Sequence, residues 1–396
     1  MMKYYFALFL FLIPFVSFGA QETPRFDVSS TQSEILSHIQ VRSVLANYQR
    51  DFLVGELRNF VSQSRPSRLY ASSGHSKARE YLKKRIKELD NGEGTKFFIQ
   101  SFSPDFESAI DFYRHNFEQN IASVYSSESK EYKEYKVITN SITEQLKSFK
   151  EKELFGENII WYSPTKNSSP RHGVIVVGAH YDSTLFDEDS GLFVTKESFD
   201  GADKNASGVA AGLSSIEILS QLNLNHDVLV VFLDLHEWRQ LGVKSFAESL
   251  PELLSKLGRE NSDNVLEIFI DLFALAHRSF EHKDSSARLS LVYAPVDSSF
   301  HRSSMEVAQQ FRHQMQLGRF GSRVELRPGP YAMTGADYFW NKSMHAIALT
   351  HDFESDPNPR IHTPNDFIET LDLLAFDQNF RSIMAGIIGY SLNLRN

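Results

Sequence analysis

Four short runs of consecutive apolar residues occur between residues 174 and 349: 174–177, 228–233, 268–270 and 346–349. Runs of this length without polar alternation are typical of strands that are covered on both faces. The segment 208–222, which lies between the first two runs, places apolar residues at helical spacing. The pattern predicts an α/β fold, with a mixed, largely parallel central β-sheet sandwiched between helices.

The first half of the chain has weaker periodicity. Residues 26–64 have the pattern of a polar helix with scattered apolar positions. Residues 73–86 carry one apolar stripe, which predicts a helix capped by Ser73 or Ser76. Residues 96–102 alternate as a half-buried strand does.

The composition shifts between residues 108 and 152. This stretch is rich in Glu, Lys, Ser and Tyr and contains no glycine or proline. Because it interrupts the alternation of strands and helices, we interpret it as a mostly helical insertion on the surface. The remainder of 26–396 is then expected to form a single domain.

The N-terminus has the pattern of a secretory signal peptide. A positive residue, Lys3, precedes an apolar run at 6–18, and small residues stand at positions 17 and 19. The run falls short of the roughly 20 residues that span a bilayer. We therefore expect residues 1–19 to be cleaved, the protein to be secreted or periplasmic, and no stable membrane anchor to remain.

Composition excludes several classes of function. The chain contains no cysteine, so it has no disulfide framework, no thiolate zinc site and no cysteine nucleophile. Its formal net charge is −9, and no basic block is dense enough to hold a phosphate backbone. Nucleic acid is therefore not an expected partner.

Polar side chains follow each of the four apolar runs. His180 and Asp182 come after the first run, Glu237 after the second, Asp271 directly after the third, and His362 in the loop beyond the fourth. Ligands of an open α/β sheet bind at the carboxyl ends of its strands. These side chains are therefore candidates for one common site.

Asp203, just before the helical segment, completes a set of two imidazoles and three carboxylates. Alone, Asp203 could be a helix N-cap and His180 part of a surface turn. Together the set suits zinc. Two Zn²⁺ ions, three carboxylates and one hydroxide are electrically neutral, which favours a co-catalytic pair, with a single ion as the alternative.

The order of these residues resembles a known family. Six ordered motifs carry the resemblance: 178–183, 201–208, 236–237, Asp271, 336–338 and 362–364. They are similar to the metal-ligand motifs of the co-catalytic zinc aminopeptidases, a family of zinc exopeptidases that also includes the glutaminyl cyclases. The resemblance extends from about residue 68 to the C-terminus, outside the insertion.

The resemblance assigns a role to each candidate ligand. It implies that Asp203 bridges two zinc ions, that His180 and Asp271 complete one site, and that Glu237 and His362 complete the other. It also implies that Asp182 orients the ring of His180. A peptide substrate is the partner expected from the same family.

Three details near the ligands carry further expectations. Relatives often have a cis bond after the bridging aspartate, which implies one at Asp203–Lys204. Lys204 itself is a departure, because relatives often carry an acidic residue there. Where relatives have a general-base glutamate, this chain has His236.

His236 leaves three interpretations open. It could serve as an altered general base, serve as an extra or rearranged metal ligand, or mark a protein that binds metal or ligand without turnover. The leading hypothesis is an exported zinc aminopeptidase in which His236 and Asp182 assist a metal-bound hydroxide. A glutaminyl cyclase and a non-catalytic binding protein are the alternatives.

Overall fold

The structure is a computed structural model that describes residues 32–165, 173–187, 192–194, 198–222, 224–258, 266–279, 287–329 and 334–392. The helices are α1 (Gln32–Asn47), α2 (Arg50–Gln63), α3 (Ser73–Leu89), α4 (Phe106–Phe117), α5 (Lys130–Glu151), α6 (Gly208–Leu219), α7 (Leu241–Lys256), α8 (His301–Leu317), α9 (Ala336–Trp340) and α10 (Leu373–Ser391). The strands are β1 (Lys96–Phe102), β2 (Gly156–Ser163), β3 (Val174–His180), β4 (Leu185–Asp187), β5 (Leu192–Val194), β6 (Asp227–Leu233), β7 (Leu266–Leu272), β8 (Arg288–Tyr293), β9 (Arg323–Pro328) and β10 (Ala346–Thr350). The predicted signal peptide, residues 1–19, lies outside the described residues.

Eight strands form one mixed sheet in the order β1-β2-β6-β3-β7-β10-β8-β9. The four central strands, β6, β3, β7 and β10, are mutually parallel. Antiparallel pairs join β1 to β2, β2 to β6, and β10 to β8. The predicted α/β class with a largely parallel sheet is confirmed. Strands β4 and β5 form a separate hairpin.

Apolar layers cover both faces of this sheet. Every residue of β3 and β6 is buried, which explains their unbroken apolar runs. One face packs against α2, α6, α8 and α10, and the other packs against α7 and α9. The predicted strand at 96–102 is β1, and the helix at 73–86 is α3, capped by the Ser72 side chain rather than by Ser73 or Ser76.

The stretch 108–152 contains most of α4, a π-helical turn at Glu118–Ala122, and α5. A third apolar cluster joins α4 and α5 to the loop that follows β6. The proposed domain boundaries stay a prediction. None of the helices in the described part of the chain combines the length and the apolarity needed to cross a membrane.

Candidate functional site

The candidate residues lie along the carboxyl edge of the parallel strands. His180 is the last residue of β3, and Asp271 lies one position before the end of β7. The register pairs Asp271 with Gly178 of β3 and with Ala348 of β10. Glu237 follows β6. Because parallel strands end at the same edge, residues far apart in the chain, such as Asp182 and His236 at a separation of 54, come together there.

Glu237 lies between the two candidate histidines. Its Oε1 atom is 3.4 Å from Nε2 of His180, and its Oε2 atom is 3.9 Å from Nε2 of His362. All three side chains are largely or fully buried, with exposures of 8%, 0% and 21% for Glu237, His180 and His362. The structure therefore brings together three of the five predicted ligands.

The ammonium group of Lys204 occupies the space between these ligands. Its Nζ atom lies 2.9 Å from Nε2 of His362, 3.3 Å from Oε1 of Glu237 and 3.5 Å from Oε2 of the same carboxylate. It also lies 4.9 Å from the centre of the Phe273 ring, within range of a cation–π interaction. A lysine cation thus makes contacts that the resemblance assigned to a metal ion.

Hydrogen bonds orient both histidine rings and fix the protonation of His362. Nδ1 of His362 is 3.2 Å from the carbonyl oxygen of Thr184, which can only accept, so Nδ1 carries the proton and Nε2 accepts from Lys204. The amide of Asn205 donates to Nδ1 of His180 at 3.3 Å. Nε2 of His180 faces Oε1 of Glu237 at 3.4 Å and has no hydrogen-bond partner among the described residues.

Asp203 faces away from this centre. Its Oδ1 atom accepts from the backbone nitrogen of Ala276 at 2.9 Å, and its Oδ2 atom accepts from the amide of Asn358 at 2.7 Å. Both carboxylate oxygens therefore have neutral donors, one in the loop after β7 and one in the loop after β10. The metal-bridging role that the resemblance implied for Asp203 does not agree with these contacts.

Asp271 is buried at the same edge of the sheet. Its Oδ2 atom accepts from the backbone nitrogen of Gly335 at 2.7 Å, and its Oδ1 atom has no hydrogen-bond partner among the described residues. Burial raises the pKa of Asp271 to about 7, although the Gly335 N–H opposes the shift. Asp271 therefore keeps one carboxylate oxygen open at the edge of the sheet.

Asp182 holds the loop after β6 instead of the His180 ring. Its two oxygens accept from the backbone nitrogens of His236 and Glu237, at 3.0 and 3.1 Å. The expected bond from Asp182 to the ring of His180 is replaced by the bond from Asn205. Asp182 therefore positions His236 and Glu237, to which the resemblance assigned a catalytic and a metal-binding role.

His236 stacks on His180. The ring centres are 3.9 Å apart and the planes differ by 5°, and His236 is 1% exposed. A ring stacked in this way presents its face, not its nitrogen lone pairs, to the neighbouring imidazole. The interpretation of His236 as an additional ligand for a metal held by His180 is not supported by this geometry.

The non-proline cis peptide bond joins Lys204 to Asn205. The prediction at Asp203–Lys204 was therefore wrong by one residue.

Two residues that the sequence did not single out build the turn around Lys204. Asp366 accepts from the backbone nitrogens of Asp203 and Lys204, at 2.8 and 3.1 Å. The fully buried Arg68 donates to the carbonyl oxygens of Tyr181, Asp200 and Gly201. The only available signal was that Asp366 lies four residues after His362 in the same loop.

The electrostatics agree with a lysine-centred cluster. Burial alone would raise the pKa of Glu237, but the Lys204 ammonium and the histidines hold it well below its usual range. Burial and the Lys204 charge lower the pKa of His362 to about 4, and burial lowers that of His180 to about 4. At neutral pH the centre therefore contains a carboxylate, an ammonium and two neutral imidazoles.

These residues do not fit the expected zinc pair. In the described part of the chain, no three His, Asp or Glu side chains converge closely enough to hold a metal ion. Lys204 fills the centre and occupies the Nε2 lone pair of His362, and both oxygens of Asp203 are bonded elsewhere. A zinc ligand must present a free lone pair.

Comparison with known proteins supports the fold. The chain is similar to the LapA aminopeptidase of Legionella pneumophila, with 12% identity, a TM-score of 0.59, and coverage of 94% of this chain and 80% of that one. It is also similar to a glutaminyl cyclase of Bacteroides thetaiotaomicron, with 14% identity, a TM-score of 0.53, and coverage of 87% and 98%. A Zn-dependent exopeptidase of Parabacteroides distasonis has 15% identity, a TM-score of 0.57, and coverage of 86% and 98%.

At this level of identity the structural likeness establishes the fold alone. A search of curated proteins gave no match. The family model of Peptidase family M28, in contrast, matches residues 158–387, which include every candidate ligand and more than half of the chain. This chain therefore belongs to Peptidase family M28.

Proposed function

We propose that this protein binds peptides at the M28 site without hydrolysing them. One observation carries the proposal: the ammonium of Lys204 lies 2.9 Å from His362 and 3.3 Å from Glu237. A hydrolase of this family type uses a metal ion to acidify water and to polarise the peptide carbonyl. An ammonium group has no empty orbital, so it cannot coordinate and acidify water in that way.

The position of His236 supports the same conclusion. A general base must reach the proton that it removes and must be stable once protonated. His236 is buried and stacked against His180, and the Lys204 cation lies in the same centre. A second positive charge here would be opposed by the lysine. The chain's own residues thus favour a neutral, fixed imidazole pair over proton transfer.

Binding and turnover can be measured on the same peptides. The purified protein is incubated with a library of peptides that differ in the N-terminal residue, and with N-acetylated copies as the matched control. We expect retention of peptides with no shortened or cyclised product in the mass spectrum. Release of N-terminal residues, or pyroglutamate formation from peptides beginning with Gln, would overturn the proposal, as would failure to retain any peptide.

A substitution at His236 separates the interpretations left open by the sequence. If His236 is a weakened base, His236→Glu raises the rate of aminoacyl-anilide cleavage. Under the proposal made here the rate stays at background, because Lys204 still lies between Glu237 and His362. A gain of turnover in folded His236→Glu protein would favour the altered enzyme.

A zinc-dependent aminopeptidase is the second candidate, and one observation favours it. The buried Oδ1 atom of Asp271 has no hydrogen-bond partner among the described residues. An open carboxylate oxygen at the sheet edge is the kind of atom that a metal ion binds. Zinc retained by the wild-type protein, together with chelator-sensitive cleavage of aminoacyl anilides, would establish this candidate in place of the first.

We also propose that the protein is exported. The support is the apolar run at 6–18, preceded by Lys3 and followed by a small residue at position 19. N-terminal sequencing of the protein recovered from the periplasm or medium should begin at Ala20. Full-length protein confined to the cytoplasm would contradict export.

A further inference from the structure

The side chains around Lys204 keep the spacing of zinc ligands. Zinc bonds to nitrogen and oxygen of roughly 2.1 Å in a tetrahedron place neighbouring ligand atoms about 3.4 Å apart. The separation of Glu237 Oε1 from His180 Nε2 is 3.4 Å, and that of Glu237 Oε2 from His362 Nε2 is 3.9 Å. These two distances are close to the separation of neighbouring zinc ligands, although with Lys204 among them the described side chains do not form a metal site.

The backbone directs the side chain of residue 204 into the frame formed by these three side chains. The Lys204 nitrogen donates to Oδ2 of Asp366 at 3.1 Å, and the neighbouring Asp203 nitrogen donates to Oδ1 at 2.8 Å. The carboxylate of Asp366, which is 1% exposed, thus clamps two successive peptide groups. The direction of side chain 204 is set by this clamp and not by the lysine itself.

The lengths of lysine and of a metal-bound aspartate nearly coincide. An extended lysine places Nζ roughly 6 Å from its Cα atom, by summing bonds of about 1.5 Å. An aspartate oxygen lies roughly 3.5 Å from Cα, and a zinc ion bound to it lies about 2 Å further out. A zinc ion held by aspartate at position 204 would therefore lie close to the present position of the ammonium.

We propose that Lys204 is a built-in replacement for a metal ion and that this one residue keeps the centre free of zinc. The proposal rests on the non-hydrolytic function and explains it at a single position. The ammonium contacts His362 and Glu237, so zinc cannot enter while it is there. With an aspartate in its place, the frame has an additional carboxylate and room for the ion.

The test compares the zinc content and zinc affinity of three full-length proteins. They are the wild type, Lys204→Asp, and Lys204→Asn as the control that matches aspartate in shape but not in charge. We expect no bound zinc in the wild type, at least one ion per chain in Lys204→Asp, and an affinity about 100-fold above that of Lys204→Asn. Elemental analysis and calorimetric titration give both values without any activity assay.

A second substitution locates the ion. His362→Ala in the Lys204→Asp background should lose most of the gained affinity, because His362 forms one side of the frame. If Lys204→Asp is unstable without zinc, Lys204→Ala tests the same statement, since it removes the cation without adding a charge. Circular dichroism with and without zinc shows which variants are folded.

The outcomes separate this inference from the proposed function. Zinc bound stoichiometrically by the wild type overturns both. A folded, zinc-free Lys204→Asp and Lys204→Ala overturn the inference alone. Peptide turnover by a zinc-free wild type overturns the proposed function, while a gain of zinc by Lys204→Asp still supports the role of Lys204.

Discussion

Lys204 and Glu237 form a buried ion pair in which each charge compensates the other. Their side chains are 11% and 8% exposed. Removing one partner of a buried pair leaves an uncompensated charge, which costs about 3–5 kcal/mol. We expect Lys204→Met to destabilise the protein by that amount, as measured by urea unfolding.

Adding Glu237→Gln to Lys204→Met should recover part of the loss. The double-mutant cycle should give a coupling of about 1–3 kcal/mol. The exposed pair of Lys256 and Glu252 is the matched control, and we expect no measurable coupling there. Equal coupling energies for the Lys204–Glu237 and Lys256–Glu252 pairs would show that the buried pair stabilises the protein no more than an exposed one.

We expect the free energy of unfolding to depend on pH through His351. Its Nδ1 donates to the carbonyl oxygen of Ala274 at 3.2 Å, and its Nε2 accepts from the nitrogen of Asn358 at 3.3 Å. Burial, with the nearby His277, lowers the pKa of His351 to about 4. The unfolded chain binds this proton near pH 6.5, so the stability contributed by His351 is complete above that pH and is lost as pH falls toward 4.

The stability advantage of the wild type over His351→Gln should therefore shrink on acidification. We expect a decrease of roughly 2 kcal/mol between about pH 7.5 and about pH 5 in the difference of unfolding free energies. His115→Gln, at an exposed site, is the control and should show no such change. If the difference in unfolding free energy between the wild type and His351→Gln does not change with pH, the lowered pKa of His351 is contradicted.

At the scale of elements, helices α4 and α5 support the loop after β6. Leu235, Arg239 and Gln240 in this loop have φ angles of 52°, 63° and 56°, a region that costs non-glycine residues about 1 kcal/mol or more each. Phe149 of α5 packs edge-on against Trp238 of the same loop, with ring centres 5.1 Å apart. Packing of this kind offsets the conformational cost.

Phe149→Ala should loosen this loop before it loosens the sheet. Phe149 is 3% exposed, and truncating a buried phenylalanine costs about 3–5 kcal/mol. We expect hydrogen exchange at 235–241 to accelerate more than exchange in β7. Phe155→Ala is the control, since Phe155 is 63% exposed. Uniform acceleration across both elements would show that the helices stabilise only the whole domain.

Helices and strands could be predicted from the sequence where burial alone determines their pattern of apolar residues. Strands β3 and β6 are buried on both faces, so their apolar runs mark them directly. The extent of 26–64 could not be predicted, because the break between α1 and α2 at residues 48–49 is not marked by glycine or proline. Strand β9 alternates irregularly between exposed and buried positions and gave no clear signal.

The candidate site was predictable in its location but not in its chemistry. Motif order correctly brings Glu237 near His180 and His362. Which residue of the 201–208 turn faces them depends on Gly201, with φ of 55°, and on Asp366, 162 positions beyond Lys204. Neither the direction of the turn nor a hydrogen bond between residues so far apart in the chain leaves a periodic pattern in the sequence. Asp203 was therefore predicted to face the histidines, whereas Lys204 does so.

At the scale of the whole molecule, the proposed role of Lys204 predicts that stability does not depend on the supply of metal ions. A ligand that binds only the folded state adds RT ln(1 + [L]/Kd), about 4 kcal/mol when its concentration is 1,000 times Kd. The positive charge beside Glu237 is covalently attached through Lys204, so the proposal predicts no such contribution from zinc in solution.

Chelation should therefore leave the unfolding temperature of the wild type unchanged within about 1 °C. In a chain of this size, a loss of 1 kcal/mol in the free energy of unfolding lowers Tm by roughly 2–4 °C or less, so loss of a stabilising ion would be visible. The same treatment should lower Tm by several degrees in zinc-loaded Lys204→Asp, because its bound ion then contributes through mass action. Differential scanning calorimetry before and after dialysis against a chelator measures both. A drop of several degrees in the wild type would mean that a metal ion, and not Lys204, neutralises Glu237.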